Sequence, residues 1–219
     1  MDAVATYRVF AEVYDRYVGG FKEDLPLYQS LCSGRNPILE IGSGTGRVLA
    51  ALLRDKHVVT GVDISAEMLA VAEKKLAYFI RRGALTLLNH DFVHSGLSTT
   101  FSAALVTFYT INYVFDDPQR EDTWEETELD GANGTMTLRQ KRSMNGNFEE
   151  RLQIFRNGAN QREITTRRMY YDKATIVGAL EECGFTDIEI TDGYCLSGFH
   201  KLERKEIVRG SFVVKASRD

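Results

Sequence analysis

Short apolar blocks alternate with helical patterns along the first half of the chain. Blocks that fit strands lie at 37–41, 57–62, 85–89 and 101–109. Apolar residues at helical spacing predict helices over 46–54 and 66–82, the second of them capped by Ser65. Because strands alternate with helices, we predict a doubly wound, mostly parallel sheet with helices on both faces.

Other patterns flank this alternating region. Apolar spacing predicts helices within 5–33, interrupted at Gly19-Gly20. After residue 134 the pattern predicts an antiparallel β-meander at about 135–170, with strands at 135–144, 148–156 and 163–170. Asn145-Gly146 is a strong signal for the first hairpin turn. The pattern ends in a helix over 173–183, capped by Asp172, and two strands at 186–191 and 211–216.

The stretch 116–134 departs from the alternation. It contains no run of four apolar residues, although a buried parallel strand should be such a run. We therefore predict no further parallel strand, and no helix leading to one, within this stretch. Three explanations stay open: strand 135–144 fills the gap, a neighbouring subunit contributes there, or the sequence omits a segment. Since an exposed strand edge is unfavourable, we expect the meander or a second subunit to cover strand 101–109.

Composition narrows the classes of function. The 219 residues suit one domain, and the net charge of −4 disfavours a nucleic-acid scaffold. No apolar run has the length of a membrane span, and the N-terminus lacks a secretory signal, so we expect a cytoplasmic protein without membrane contact. The three cysteines have no metal-like spacing, so we expect reduced thiols and no metal.

Glycine-rich residues follow the first predicted strand. Gly42, Gly44 and Gly46 alternate with small residues between strand 37–41 and helix 46–54, a turn whose N–H groups could bind a polar or anionic ligand. A dinucleotide fingerprint would need glycine where Arg47 stands. The acid Glu40, two residues before the first glycine, instead suits a ligand with a positively charged amine.

A second acid, Asp63, closes strand 57–62. In a parallel sheet it lies beside the same ligand, where a ribose would bind. A loop acid before a helix is the structural alternative.

Residues 38–48 and 59–69 together resemble the class I S-adenosylmethionine-dependent methyltransferases, which have a Rossmann-like fold. Asn89-His90-Asp91-Phe92, the stretch 101–116 and the C-terminal part from Tyr171 are similar to later segments of that family. The meander resembles a subgroup that methylates small molecules, including glycine-like and sugar amines. The resemblance implies a single domain over 1–219, made of a helical cover (1–33), a cofactor-binding half (34–116), the meander (135–170) and a C-terminal part (171–219).

The resemblance also implies roles for particular residues. The glycine turn would hold the methionine part of the cofactor, Glu40 its ammonium group and Asp63 both ribose hydroxyls, since a carboxylate offers two acceptor oxygens. The implied cofactor-binding residues are Tyr14, Glu40, Gly42, Ser43, Gly44, Arg47, Asp63, Ile64, Met68, Asp91, Phe92 and Phe108. For Tyr14 and Met68, packing in the core is an equally good interpretation.

Several residues are candidates for binding the methyl acceptor or for catalysis. Phe108, Tyr109, Asn112 and Tyr113 follow strand 101–109 and could line a methyl-transfer pocket, or they could be core residues. Candidates for a catalytic side chain are Tyr14, Tyr109 and His200. His90, His94 and His200 are potential general bases, although a lone histidine more often has a structural role.

The resemblance implies methyl transfer from S-adenosylmethionine to a small-molecule acceptor by in-line displacement, with S-adenosylhomocysteine as product. Orientation would be the main catalytic device. N-methylation is favoured over O-methylation because a neutral amine needs no strong base. The alternative is a cofactor-binding protein with a degenerate pocket, either non-catalytic or with cyclase or lyase chemistry.

Overall fold

The computed structural model describes residues 11, 14, 15, 18, 20–94, 96–114, 125–130, 137–145, 148–157, 160–194 and 212–218. The chain divides into two compact units. The first comprises residues 1–20 and 34–170, and the second comprises 21–33 and 171–219. The sequence's single-domain organisation stays a prediction.

A four-stranded parallel sheet lies in the first unit, with strand order β3-β2-β1-β4. Its strands are β1 (Ile38–Ile41), β2 (Val59–Asp63), β3 (Leu85–Asn89) and β4 (Ala103–Val106). This confirms the predicted parallel sheet, although β4 is shorter than the predicted 101–109. Ile38 and Val59 are fully buried, as expected for strands whose apolar residues form the core.

The strand order places a crevice at one end of the sheet. β1 pairs with β2 on one side and with β4 on the other. The chain therefore leaves the carboxyl ends of β1 and β4 in different directions. Such a switch point is where open α/β sheets bind ligands. The glycine turn follows β1 and residues 107–113 follow β4, so the sheet order brings these two segments together.

Two helices of the first unit begin and end where the sequence predicts. They are α2 (Arg47–Arg54) and α3 (Ala66–Arg81). The helix before them in the chain, α1 (Leu25–Cys32), belongs to the second unit. The Ser65 side chain caps α3 by accepting from the Met68 N–H. Gly83, at φ +68°, follows the end of α3 in the left-handed conformation that glycine favours.

An antiparallel sheet of order β5-β6-β7-β8 also lies in the first unit. Its strands are β5 (Glu125–Asp130), β6 (Thr137–Asn145), β7 (Phe148–Asn157) and β8 (Asn160–Met169). The last three confirm the predicted meander. β5 was missed, because the sequence Glu-Glu-Thr-Glu-Leu-Asp carries almost no apolar pattern. Its register instead places acids opposite bases, with Glu126 opposite Lys141 and Glu128 opposite Arg139.

The pairing of β6 rules out one of the three explanations for the missing parallel strand after β4. β6 pairs with β5 and β7, so the predicted strand 135–144 does not fill a gap in the parallel sheet. Among the described residues no further parallel strand follows β4, in line with the predicted lack of a fifth strand.

The second unit contains α1, α4 (Lys173–Glu182) and the antiparallel pair β9 (Thr186–Asp192) and β10 (Phe212–Ser217). Asp172 caps α4 by accepting from the Thr175 N–H at 2.7 Å, as predicted. Most of the predicted helix before Gly19-Gly20 lies outside the described residues. Within the described part of the chain, no helix has the length and apolar character needed to cross a membrane.

Candidate functional site

The three glycines of the turn after β1 have three different surroundings. A Cβ on Gly42, at φ +71°, would lie 2.2 Å from Thr110 Oγ1, so this glycine lets the segment after β4 approach. A Cβ on Gly46, at φ +81°, would lie 2.8 Å from Leu76 Cδ1 of α3. A Cβ on Gly44, at φ +54°, would meet no atom of the described residues within 4 Å. Of these three glycines, only Gly44 therefore leaves space for a ligand.

This difference predicts opposite behaviour for two alanine variants. Gly42→Ala should destabilise the fold by about 2–4 kcal/mol, because positive φ and a clash with Thr110 act together. Gly44→Ala should cost only about 1 kcal/mol in stability, from its positive φ alone. Urea unfolding of both variants measures these values. Equal destabilisation would contradict the packing difference between the two positions.

Backbone N–H groups of the turn are used within the protein, which corrects the expectation that they are bare. Gly42 and Ser43 donate to the Val62 carbonyl at 2.8 and 3.0 Å, and Gly46 donates to the Ser43 carbonyl at 2.9 Å. The Gly44 N–H donates to Asp63 Oδ2 at 2.7 Å. At this turn a ligand therefore meets open space beside Gly44 and the acids Glu40 and Asp63, rather than a row of free N–H donors.

Asp63 holds the turn and the start of α3 together at the end of β2. Its Oδ2 accepts from Gly44 N–H, and its Oδ1 accepts from the Ser65 N–H at 2.8 Å. Burial raises the pKa of this carboxyl, while the two backbone donors oppose the rise. Because each carboxylate oxygen can accept more than one hydrogen bond, the group can still receive donors from a ligand.

Glu40 is a buried acid at the switch point. Its side chain is 1% exposed, and Oε1 accepts from the Thr107 hydroxyl at 2.9 Å. Oε2 is buried without a hydrogen-bond partner among the described residues. Burial raises the pKa of Glu40 to about 8, although the Thr107 hydroxyl, Arg47 and the backbone N–H of Leu49 counteract that effect. A buried oxygen without a donor is costly, and an added cation or donor would relieve that cost.

Tyr14 lies near Asp63 and Arg47. Burial raises the pKa of its phenol well above its ordinary range, and its charged neighbours include Arg47, Asp63 and Arg168. The structure therefore brings the predicted residue Tyr14 to the glycine turn and the end of β2. Its phenol stays protonated near neutral pH and acts there only through hydrogen bonds.

Aromatic rings and guanidinium groups meet after β4. The Arg47 guanidinium carbon lies 5.4 Å from the centre of the Phe108 ring, and the Phe108 and Tyr109 rings pack edge to face. Arg168 of β8 lies 4.7 Å from the Tyr109 ring centre, and its Nε donates to the Tyr113 hydroxyl at 2.9 Å. Phe108 adopts φ +57°, a conformation that non-glycine residues rarely adopt outside functional or tightly constrained sites.

Other predicted residues lie apart from this cluster or have other partners. Met68 is 2% exposed in the core, which favours its packing role, while Ile64 is 42% exposed. Asp91, after β3, accepts from the Val93 N–H and pairs with His94 at 2.9 Å. Phe92, in the loop after β3, is partly exposed. His200 lies outside the described residues.

Sequence reasoning missed four residues of the site. Asp15 contacts the glycine turn, Thr107 binds Glu40, Thr110 packs on Gly42, and Arg168 reaches Tyr109 from the antiparallel sheet. A hydroxyl directly after β4 was the available signal for Thr107. Arg168 carried no signal, because its contacts depend on where β8 packs.

The central part of the chain matches a known family. Residues 38–128 match the family described as a methyltransferase domain. Among curated relatives, human arsenite methyltransferase is 33% identical over 93 residues, which cover 37% of this chain and 25% of that protein. The chain spans half or less of the length of the curated relatives it matches.

Solved structures share the fold over nearly the whole chain. An S-adenosylmethionine-dependent methyltransferase from Clostridium acetobutylicum is similar with a TM-score of 0.72 and 15% identity, covering 95% of this chain and 96% of that one. The chain therefore shares its fold with S-adenosylmethionine-dependent methyltransferases, and its residues 38–128 are similar in sequence to a methyltransferase domain. The chain is also similar to the sugar N-methyltransferase KedS8 from Streptoalloteichus, with a TM-score of 0.64 and 18% identity over 95% of this chain and 94% of that one.

Proposed function

We propose that this protein is a class I methyltransferase that transfers a methyl group from S-adenosylmethionine to an amine of a small molecule. The observation that carries the proposal is the buried Oε2 of Glu40 at the sheet's switch point, which has no hydrogen-bond partner among the described residues. A positively charged amine of the cofactor is the kind of group that this oxygen lacks. The similarity to a sugar N-methyltransferase supports an amine as acceptor.

The residues of the site fit this cofactor. Glu40 would hold its ammonium group, Asp63 its ribose hydroxyls, and the open face of Gly44 would let it lie against the backbone. Phe108 and Arg47 would flank it on the side of β4. When bound, the cofactor supplies a methyl group activated by a positively charged sulfur.

The protein's part in the reaction is orientation and exclusion of water. Tyr14 is half-buried and protonated, so it can orient a donor or acceptor group but cannot serve as a base. Tyr109 and Tyr113, which Arg168 fixes in place, present an aromatic wall to the acceptor. A hydroxyl acceptor would need a base, whereas a neutral amine can attack without one, and this supports N-methylation over O-methylation.

Calorimetry with S-adenosylmethionine and S-adenosylhomocysteine tests the cofactor half of the proposal. We expect both to bind with micromolar affinity, about −8 kcal/mol. A methyl-transfer assay across amines, phenols and carboxylates then tests the acceptor half. Binding without transfer to any class would favour the alternative of a degenerate pocket, and product formation without methylated acceptor would favour cyclase or lyase chemistry.

We also propose that the protein works in the cytoplasm. A second proposal is that another copy of the chain covers the free edge of β4. β4 pairs only with β1 among the described strands, and Val106 is 50% exposed there. An edge with exposed apolar residues is a template for pairing with another chain. Sedimentation should show a dimer, and a strictly monomeric protein would contradict it.

A further inference from the structure

Helices α2 and α3 end in the same kind of turn, with different residues at its left-handed position. After α3 that position is Gly83, at φ +68°, whose N–H donates to the Ile80 carbonyl at 2.9 Å. After α2 it is Lys56, also at φ +68°, whose N–H donates to the Leu53 carbonyl at 3.1 Å. α4 likewise ends at a glycine, Gly184 at φ +79°. Because this turn favours glycine, the fold itself does not explain a lysine at position 56.

Lys56 belongs to a row of exposed cations at the amino ends of the parallel strands. Arg35, Lys56 and Arg82 each stand three residues before a strand, namely β1, β2 and β3. Backbone hydrogen bonds of 3.0 and 2.9 Å join the start of β2 to those of β1 and β3, and adjacent strands lie about 4.8 Å apart. Arg54 and Arg81, also exposed, end α2 and α3 at the same edge. We call these five residues the basic edge.

Stabilisation of the helix dipole explains only part of the basic edge. A cation in the last turn of a helix is favourable, and Arg54 and Arg81 stand there. Lys56 lies beyond the last turn of α2, where glycine would relieve the positive φ. Within the described part of the chain, no ion pair joins Lys56 or Arg82 to an acid. Their charges are therefore available to an external group, beside the exposed acid Asp55.

We propose that the basic edge is a docking surface for an acidic helix of a partner protein. The whole chain has a net charge of −4, so this row of cations is a local feature that complements an acidic surface. Acids one turn apart on a helix are separated by about 5.4 Å, close to the spacing of the strands that carry the cations.

An apolar side chain within the basic edge favours a protein over a phosphate backbone as its occupant. Val58, directly before β2, is 44% exposed. Protein interfaces combine an apolar centre with a polar rim, whereas a phosphate backbone offers only charge. The proposed cofactor site lies at the opposite, carboxyl ends of the strands, so a docked helix leaves that site open.

The test measures binding of two fluorescent peptides to the whole chain by fluorescence anisotropy. Both are alanine-rich helical peptides of about 20 residues with a central leucine, and one face carries either glutamate or glutamine at every turn. The glutamate peptide should bind at least about tenfold more tightly. Lys56→Gln and Arg82→Gln should each weaken its binding by about twofold to fivefold, and the double variant by about tenfold. Lys74→Gln, an exposed cation within α3, is the matched control that should change nothing.

Lys56→Gly separates a binding role from a structural one. It should weaken binding of the glutamate peptide as much as Lys56→Gln does, while the melting temperature rises by about 1–3 °C because glycine suits the positive φ. A lower melting temperature with unchanged peptide binding would show that Lys56 serves the fold, and would overturn the proposal.

Other occupants of the basic edge would give other results. Equal affinity for the two peptides, or equal affinity of the wild type and the double variant, would overturn the docking surface. Tighter binding of duplex DNA or phosphatidylserine vesicles, lost in the double variant, would overturn a protein partner. A wild-type dimer that the double variant dissociates would assign the surface to a second copy of the chain instead. Binding of S-adenosylhomocysteine should be the same in every variant, so failure of the docking surface leaves the proposed function intact.

Discussion

Replacing Asp63 by alanine should weaken S-adenosylhomocysteine binding by at least about 100-fold, because hydrogen bonds to a charged acceptor contribute about 1.5–3 kcal/mol each. The variant loses the acceptor proposed for the ribose hydroxyls. It also frees the Gly44 and Ser65 N–H groups, so the turn that should hold the methionine part becomes less fixed. Isothermal titration calorimetry measures the affinity.

Loss of binding must be separated from loss of fold. Removing two partly buried acceptor oxygens should lower stability by about 1–3 kcal/mol, which calorimetric melting reports. Asp63→Asn keeps the volume but offers only one acceptor oxygen, so its binding should fall between those of wild type and alanine. Glu73→Ala, an exposed acid on α3, controls for the change in net charge. Unchanged affinity in a folded Asp63→Ala variant would contradict the assignment of this site.

Replacing Glu40 by glutamine should stabilise the ligand-free protein and weaken cofactor binding together. The pKa of Glu40 is raised from 4.5 to about 8 by burial, so folding at pH 7 requires the carboxyl to take up a proton. Each pKa unit corresponds to about 1.4 kcal/mol, so glutamine should gain up to about 3 kcal/mol at pH 7. Urea unfolding of both proteins across pH measures this gain.

The sign of the pH dependence follows from where the proton is bound. Between about pH 4.5 and 8 the folded protein holds a proton on Glu40 that the unfolded chain has released, so wild-type stability falls as pH rises through this window. Glutamine carries no such proton. The stability difference between Glu40→Gln and wild type should therefore grow from pH 4.5 to 8 and stay constant above it.

Cofactor binding provides the second readout for Glu40. An ammonium group beside Oε2 favours the ionised carboxylate, so binding at pH 7 should release up to about one proton. Titrations in buffers of different ionisation enthalpy detect that release, and Glu40→Gln should abolish it while weakening affinity by about tenfold or more. Thr107→Val is the matched control, because it removes the hydroxyl donor to Oε1 and leaves the carboxylate in place. Equal proton release in Glu40→Gln and wild type would exclude Glu40 as the ammonium partner.

Elements with strong local patterns were predictable. The apolar blocks and caps gave the four parallel strands, α2, α3 and α4 within a few residues, because burial of one face and a satisfied N-terminus are local requirements. β5 was not predictable in this way. Its backbone pairs with β6, whose residues lie about a dozen positions further along the chain, so no local pattern in β5 announces the strand.

The residues of the site also divide into those with a local sequence pattern and those brought in by contacts between distant segments. Glu40, Asp63 and the glycines stand at strand ends in one continuous stretch, so spacing alone identified them. Thr107, Thr110 and Asp15 reach the site from distant parts of the chain, through the strand order and the packing of the N-terminal helical residues.

By itself, the sequence determined that an acid and three glycines follow one strand, that a second acid follows the next, and that the chain resembles class I methyltransferases. Only the tertiary structure decided how deeply those residues are buried and which hydrogen-bond partners they have. Thr107, directly after β4, binds one oxygen of Glu40, while the other is buried without a hydrogen-bond partner among the described residues, and of the three glycines only Gly44 has no described atom close to where a Cβ would lie. Burial and orphaned polar atoms arise from contacts between segments far apart in sequence, so no local pattern encodes them.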